Sequence, residues 1–140
     1  MPTWEHALPE KTNPSRNPLH NPALLQGIFY LAAGTWPLVD MGSFLDVTGP
    51  KTDLWLVSTV GLLLAVVGIV LFCAGIRKKR NLEVFLLGLG SAASLASIEI
   101  SHVYLKVISP IYLLDAFIEV VLVVCWISGP AFRRLPGDLS

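Results

Sequence analysis

Apolar residues fill this chain in long blocks, and the few polar positions that interrupt them recur at helical spacing. Four segments, at about 22–41, 54–76, 82–108 and 110–127, meet or approach the ~20 apolar residues needed to span a bilayer. They predict an all-α membrane protein: four transmembrane helices in an antiparallel bundle across residues 22–128. Residues 1–21 carry Pro2, Pro9, Pro14 and Pro18 among polar residues and no apolar run, so a disordered tail is expected there. Nothing in that stretch resembles the short apolar core of a secretory signal peptide. Residues 129–140 form a second expected tail.

Small residues predict how the spans meet. The second span carries no charge, and Gly61, Gly68 and Gly75 recur every seven residues with Ala65 between them. Seven residues is nearly two helical turns, so these positions form one stripe for close helix contact. In the third span Gly88, Ala92 and Ala96 share a face with Glu99, which should therefore point into the bundle. Pro37, in the first span, removes an amide donor and crowds the carbonyl of Ala33, so a kink or break is expected near that end. Trp36 and Trp55 fit an outer aromatic belt and Trp126 an inner one. In the connection 42–53, Gly49-Pro50 signals a turn and Thr52 or Asp53 is a candidate N-cap. Phe44, Leu45 and Val47 are too apolar for a free loop, so this segment is expected on the outer membrane surface or folded over the bundle as a lid.

The last two spans carry the polar residues of interest. Glu99, His102 and Lys106 lie in the third, Tyr112, Asp115 and Glu119 in the fourth, and both sets have i, i+3, i+7 spacing. Charge at membrane depth costs roughly 2.5–3.5 kcal/mol per residue, so such residues are rare and usually functional. Ser109-Pro110 suggests a tight turn with Ser109 as N-cap and Pro110 at the first helical position. Residues equidistant from Ser109 would then share a depth. The result is a predicted ladder: Glu99 with Glu119 about 15 Å in, His102 with Asp115 above them, Lys106 with Tyr112 at the mouth.

Two carboxyls close together in low dielectric cannot both stay ionised, so Glu99 and Glu119 are expected to share a proton, with His102 and Asp115 as a relay. Lys106, Tyr112, Trp36 and Asp40 are the candidate ligand-binding residues. The same groups suit acid–base catalysis on a lipid, of isomerase or hydrolase type, or a self-satisfied polar network that locks the hairpin. Glu99-x-x-His102 also resembles half of a carboxylate-bridged di-metal motif. A mononuclear metal on Glu99, His102, Asp115 and Glu119 is the weaker alternative to no metal, and no cofactor is expected.

Composition sets the compartment. The chain is 54% hydrophobic and 14% charged, well below the roughly 25% charged residues of soluble domains. Ten basic and ten acidic residues give zero net charge, which argues against a nucleic-acid partner. Lys11, Arg16, Arg77, Lys78, Lys79, Arg80, Arg133 and Arg134 fall on one side of the spans, leaving Lys51 and Lys106 on the other. The positive-inside rule then places both termini in the cytoplasm of a multi-pass protein of the plasma or inner membrane. Cys73 and Cys125 lie toward that reducing side and read as two buried thiols without a disulfide.

In outline the chain is similar to the four-helix EXPERA membrane domain, whose sterol-isomerase members use membrane-buried acids and a histidine. That likeness lies in topology and residue type and transfers no residue roles. The small multidrug transporters, also four-helix proteins, have an essential acid in the first helix, where this chain has Tyr30. The expected function is a proton-coupled, transporter-like binding protein for a small polar or amphipathic ligand, its site opening outward between the last two spans. A membrane-embedded enzyme and an accessory subunit of a larger membrane complex are the rivals. For a transporter of this size a homodimer is expected, since four helices enclose little room for a pathway.

Overall fold

A computed structural model describes residues 21–78 and 81–129. Among the described residues there are five helices and no strand: α1 Pro22–Val39, α2 Met41–Thr48, α3 Leu54–Ile76, α4 Leu82–Tyr104 and α5 Tyr112–Ser128. Apart from Asn21 and Gly129, the expected tails lie outside the described residues, as do Lys79 and Arg80. Helices α1, α3 and α4 are long and apolar enough to cross a membrane, and α5, with 17 residues, rises about 26 Å. Their outer faces are apolar as well: Leu62, Leu63, Leu86, Leu114 and Phe117 are each more than half exposed. Water does not tolerate so much contiguous apolar surface, whereas hydrocarbon does.

The seven-residue glycine stripe of α3 packs on α1. A Cβ added to Gly34 would lie 2.6 Å from the Ala65 nitrogen, one on Gly68 2.8 Å from the Leu31 nitrogen, and one on Gly75 2.7 Å from the Leu24 nitrogen. Position numbers rise along α1 as they fall along α3, so the two helices run in opposite directions with backbones in contact. Pro37 does not break α1. The helix passes through it and ends at Val39, because the one hydrogen bond the proline forfeits lies in the last turns.

The chain then turns at Asp40 into α2, a short helix in the 42–53 connection. The Asp40 carboxylate accepts a hydrogen bond from the Ser43 amide at 3.0 Å, and Trp36 Nε1 donates to Ser43 Oγ at 2.9 Å. Trp36 and Phe44 meet edge to face with ring centres 5.7 Å apart. Gly49 ends α2 at φ 89°, a left-handed conformation that glycine adopts without strain.

Helices α4 and α5 form the second close pair. Here the turn differs from the tight one expected. Helix α4 stops at Tyr104, not 108, because Lys106 takes a left-handed conformation (φ 57°) and its amide bonds back to the Val103 carbonyl. Ser109-Pro110 does open a helical turn, with i→i+3 bonds from the Tyr112 and Leu113 amides, and the regular helix follows at Tyr112. The longer connection slides the pair by one helical turn. Gly88, level with residue 130 in the expected register, packs on Trp126 instead. Trp126 is accordingly buried in the core against Phe85, 3% exposed, and does not belong to an aromatic belt. Cys73 is exposed, contrary to expectation, and Cys125 is partly buried.

Substituting Gly34 with alanine should push α1 off α3 and cost about 1–3 kcal/mol, as overpacking does. Gly90, with open space around it, should accept alanine without loss. Thermal unfolding of the two variants in the same detergent compares them directly.

Candidate functional site

Helix α1 turns its glycines to α3 and two polar side chains the other way. Gln26 and Tyr30, one turn apart, are both fully buried. Gln26 donates to the Gly88 carbonyl at 2.9 Å and to Ser91 Oγ at 3.1 Å, and accepts from Trp126 Nε1 at 2.6 Å. Tyr30 donates its hydroxyl to Glu119 Oε2 at 3.0 Å. These bonds fasten α1 to α4 and α5 across a low-dielectric interior, where an unmet polar group is costly.

Beyond Glu119 the acids gather. Glu99, Asp115 and Glu119 all line a cavity of about 290 Å³ between α1, α3, α4 and α5. Glu99 lies within hydrogen-bonding reach of the Asp115 carboxyl and feels the charge of Glu119. This pairing of Glu99 with Asp115 is the one-turn slide of the hairpin, seen at the site. Glu119 is 1% exposed and matched by Tyr30; Glu99 is 7% exposed, and its Oε2 has no hydrogen-bond partner among the described residues. Two carboxylates repel, so the Glu99–Asp115 contact becomes a hydrogen bond only when one of them holds a proton.

A second cavity, about 520 Å³, adjoins the first and shares Phe29, Ala33, Phe44, Tyr112 and Asp115 with it. Its remaining walls are largely apolar, from Ala32, Trp36, Val47, Leu114 and Ile118. Phe44 of α2 lines both cavities, which puts the 42–53 connection over the site. At the rim, Lys51 Nζ sits 5.1 Å from the Tyr112 ring centre and donates to the carbonyls of Thr48 and Gly49.

Of the residues picked from the sequence, the structure brings Glu99, Asp115, Glu119 and Tyr112 together around these cavities and puts Trp36 in the wall of the larger one. His102 and Lys106 line neither. The His102 ring Nδ1 lies 2.8 Å from the Ile98 carbonyl of its own helix, so no His102–Asp115 layer forms. Lys106 is exposed on the turn, and its expected place beside Tyr112 is taken by Lys51. With His102 turned away, the proposed metal quartet does not converge, and no group of three His, Cys, Asp or Glu side chains suited to a metal occurs among the described residues. Asp40 lines neither cavity and caps α2. The Ser43 amide, and then its hydroxyl, hold the Asp40 carboxyl below its ordinary range.

Sequence reasoning missed Gln26, Tyr30, Ser91 and Lys51 as site residues. Gln26 did leave a signal, being a lone amide in an apolar span with a tyrosine one turn on.

Two outcomes follow. Tyr30→Phe leaves Glu119 buried without its donor and should cost about 1–3 kcal/mol, read as a lower unfolding temperature. Asp40 has a depressed folded-state range, so its cap is present at neutral pH and is lost as pH falls through that range. The protection of the Ser43 amide, its exchange rate relative to that of an unstructured amide at the same pH, should therefore fall in acid, and Asp40→Ala should lower it across the neutral range. Comparison with protein-family models, with curated proteins and with solved structures finds no match to this chain.

Proposed function

We propose that this chain is a four-span membrane protein whose acid cluster is a proton-handling binding site for a small polar or amphipathic ligand, in a transporter-like role. Helices α1, α3, α4 and α5 are the spans of an antiparallel bundle with both termini cytoplasmic. Arg77 and Lys78 at the end of α3 then face the cytoplasm, and Lys51 and Lys106 the opposite side, as the positive-inside rule requires.

The observation that carries this reading is the contrast between the two buried glutamates. Glu119 has a donor built for it, and a purely structural network would supply one for Glu99 too. Glu99 instead has a buried oxygen without a partner among the described residues, and its side chain lines a cavity together with Asp115. An exchangeable partner, proton or ligand, completes such a site. Glu99 and Asp115 hold the proton between them, and Tyr30 fixes Glu119 as the third wall. The enzyme alternative loses its imidazole, because His102 lies outside the cavity.

Infrared spectroscopy of the full chain in lipid tests the proton. At neutral pH the wild type should show the carbonyl band of a protonated carboxylic acid. Glu99→Gln and Asp115→Asn should each remove most of it, whereas Glu83→Gln should leave it intact. A spectrum with every carboxyl ionised would sink the proton-handling reading.

A further inference from the structure

We propose that the 290 Å³ cavity is the head-group site for an amphipathic amine, its ammonium held between Glu99 and Asp115 and its apolar body directed toward the adjoining 520 Å³ cavity. This deepens the binding reading above and rests on it. Two independent observations support it. One is the gathering of three carboxyls on a single small cavity. The other is Glu99 itself, a side chain only 7% exposed that lines this cavity and whose Oε2 is buried without a partner among the described residues.

The lining defines what fits. Its polar wall is rich in acceptors, since carboxylates offer lone pairs and no hydrogens. An anion would be repelled by whichever of the three carboxyls is ionised. A neutral hydroxyl brings one donor and no charge, whereas a primary ammonium brings three donors, no acceptor and the opposite charge. Lys51, the one cation among the residues lining the two cavities, is already engaged at the rim by two carbonyls and the Tyr112 ring. The charge that balances Glu99 and Asp115 therefore comes from elsewhere. Phe29, Phe44 and Tyr112 border both cavities, and the walls beyond them are mostly apolar. A buried cationic head with an apolar body matches both parts.

The charged and titratable groups around Glu99 are Asp115, Glu119 and Tyr112 of α5 and Lys51 of the α2–α3 connection, with Tyr30 of α1 behind Glu119. His102, on the same helix as Glu99, bonds its own backbone. An ammonium and a proton compete for the Glu99–Asp115 pair. Amine affinity should therefore rise with pH over about pH 6–8, where an alkylamine keeps its charge.

The test is equilibrium binding of 2-phenylethylamine to the full chain in lipid nanodiscs, with empty nanodiscs subtracted. 2-Phenylethanol and 3-phenylpropionate serve as the neutral and anionic counterparts. Saturable binding of the amine is expected, with both counterparts weaker on the order of 10- to 100-fold. Glu99→Gln and Asp115→Asn should each weaken the amine by a similar factor, and Gly90→Ala should not. Should Glu99→Gln fail to fold, Asp115→Asn at a partly exposed position carries the test. Alcohol binding as tight as amine, undiminished binding in the acid variants, or affinity that falls as pH rises would overturn the assignment. A protonated-carboxyl infrared band with no amine bound removes the amine and leaves the proton site standing. Absence of both removes the two readings together.

Discussion

At Gly34, Gly61, Gly68 and Gly75 the backbones of α1 and α3 come closer than any side chain would permit, and the rest of the fold is placed from that seam. Hydrocarbon provides no hydrophobic drive to bring two helices together, so contact area and close packing must do it. A smooth stripe of small residues gives both. Because the seam takes up one face of α1, Gln26 and Tyr30 are left pointing away from α3, toward α4 and α5. Helix α1 thus faces two ways, with van der Waals contact on one side and hydrogen bonds on the other.

The interior polar groups divide by whether the protein answers them. Gln26, Trp126 and Ser91 close their hydrogen bonds among themselves and nearby carbonyls, and Glu119 is answered by Tyr30. Such groups register one helix against another, because any other alignment would strand them in low dielectric. Glu99 and Asp115 lie at the end of this set, beside empty volume, and the chain supplies no donor for the Glu99 oxygen among the described residues. The difference between matched and unmatched groups separates scaffold from chemistry more sharply than their shared burial does.

Much of this could be read from the order of residues. Blocks of apolar residues mark the helices, and the seven-residue glycine period marks the seam, because both depend on local periodicity. The faces of Glu99, Asp115 and Glu119 were legible for the same reason. Depth was harder. It depends on how many residues the α4–α5 turn consumes, and that was decided by a lysine in a left-handed conformation, where glycine is the usual signal. One turn of error was enough to pair Glu99 with the wrong acid and to give His102 a partner it lacks. Lys51 was unreadable for a different reason: it reaches Tyr112 through a contact between segments 61 residues apart in sequence, with no periodicity to announce it. Trp126 shows the limit of statistical placement, since a tryptophan near a span's end suits an interface until an amide such as Gln26 offers it a bond.

The two-sided character of α1 also has a consequence for how the protein is made. Synthesis runs from the N-terminus, so α1 is made before α4 and α5 exist. Its partner α3 follows directly, and the glycine seam can close early. During that interval Gln26 and Tyr30 have no α4 or α5 to bond, and the amide and hydroxyl must find other partners. The half-built protein is thus a helical hairpin with a sticky polar edge. Only when α4 and α5 have been made can these two side chains close the bonds that align the acid cluster.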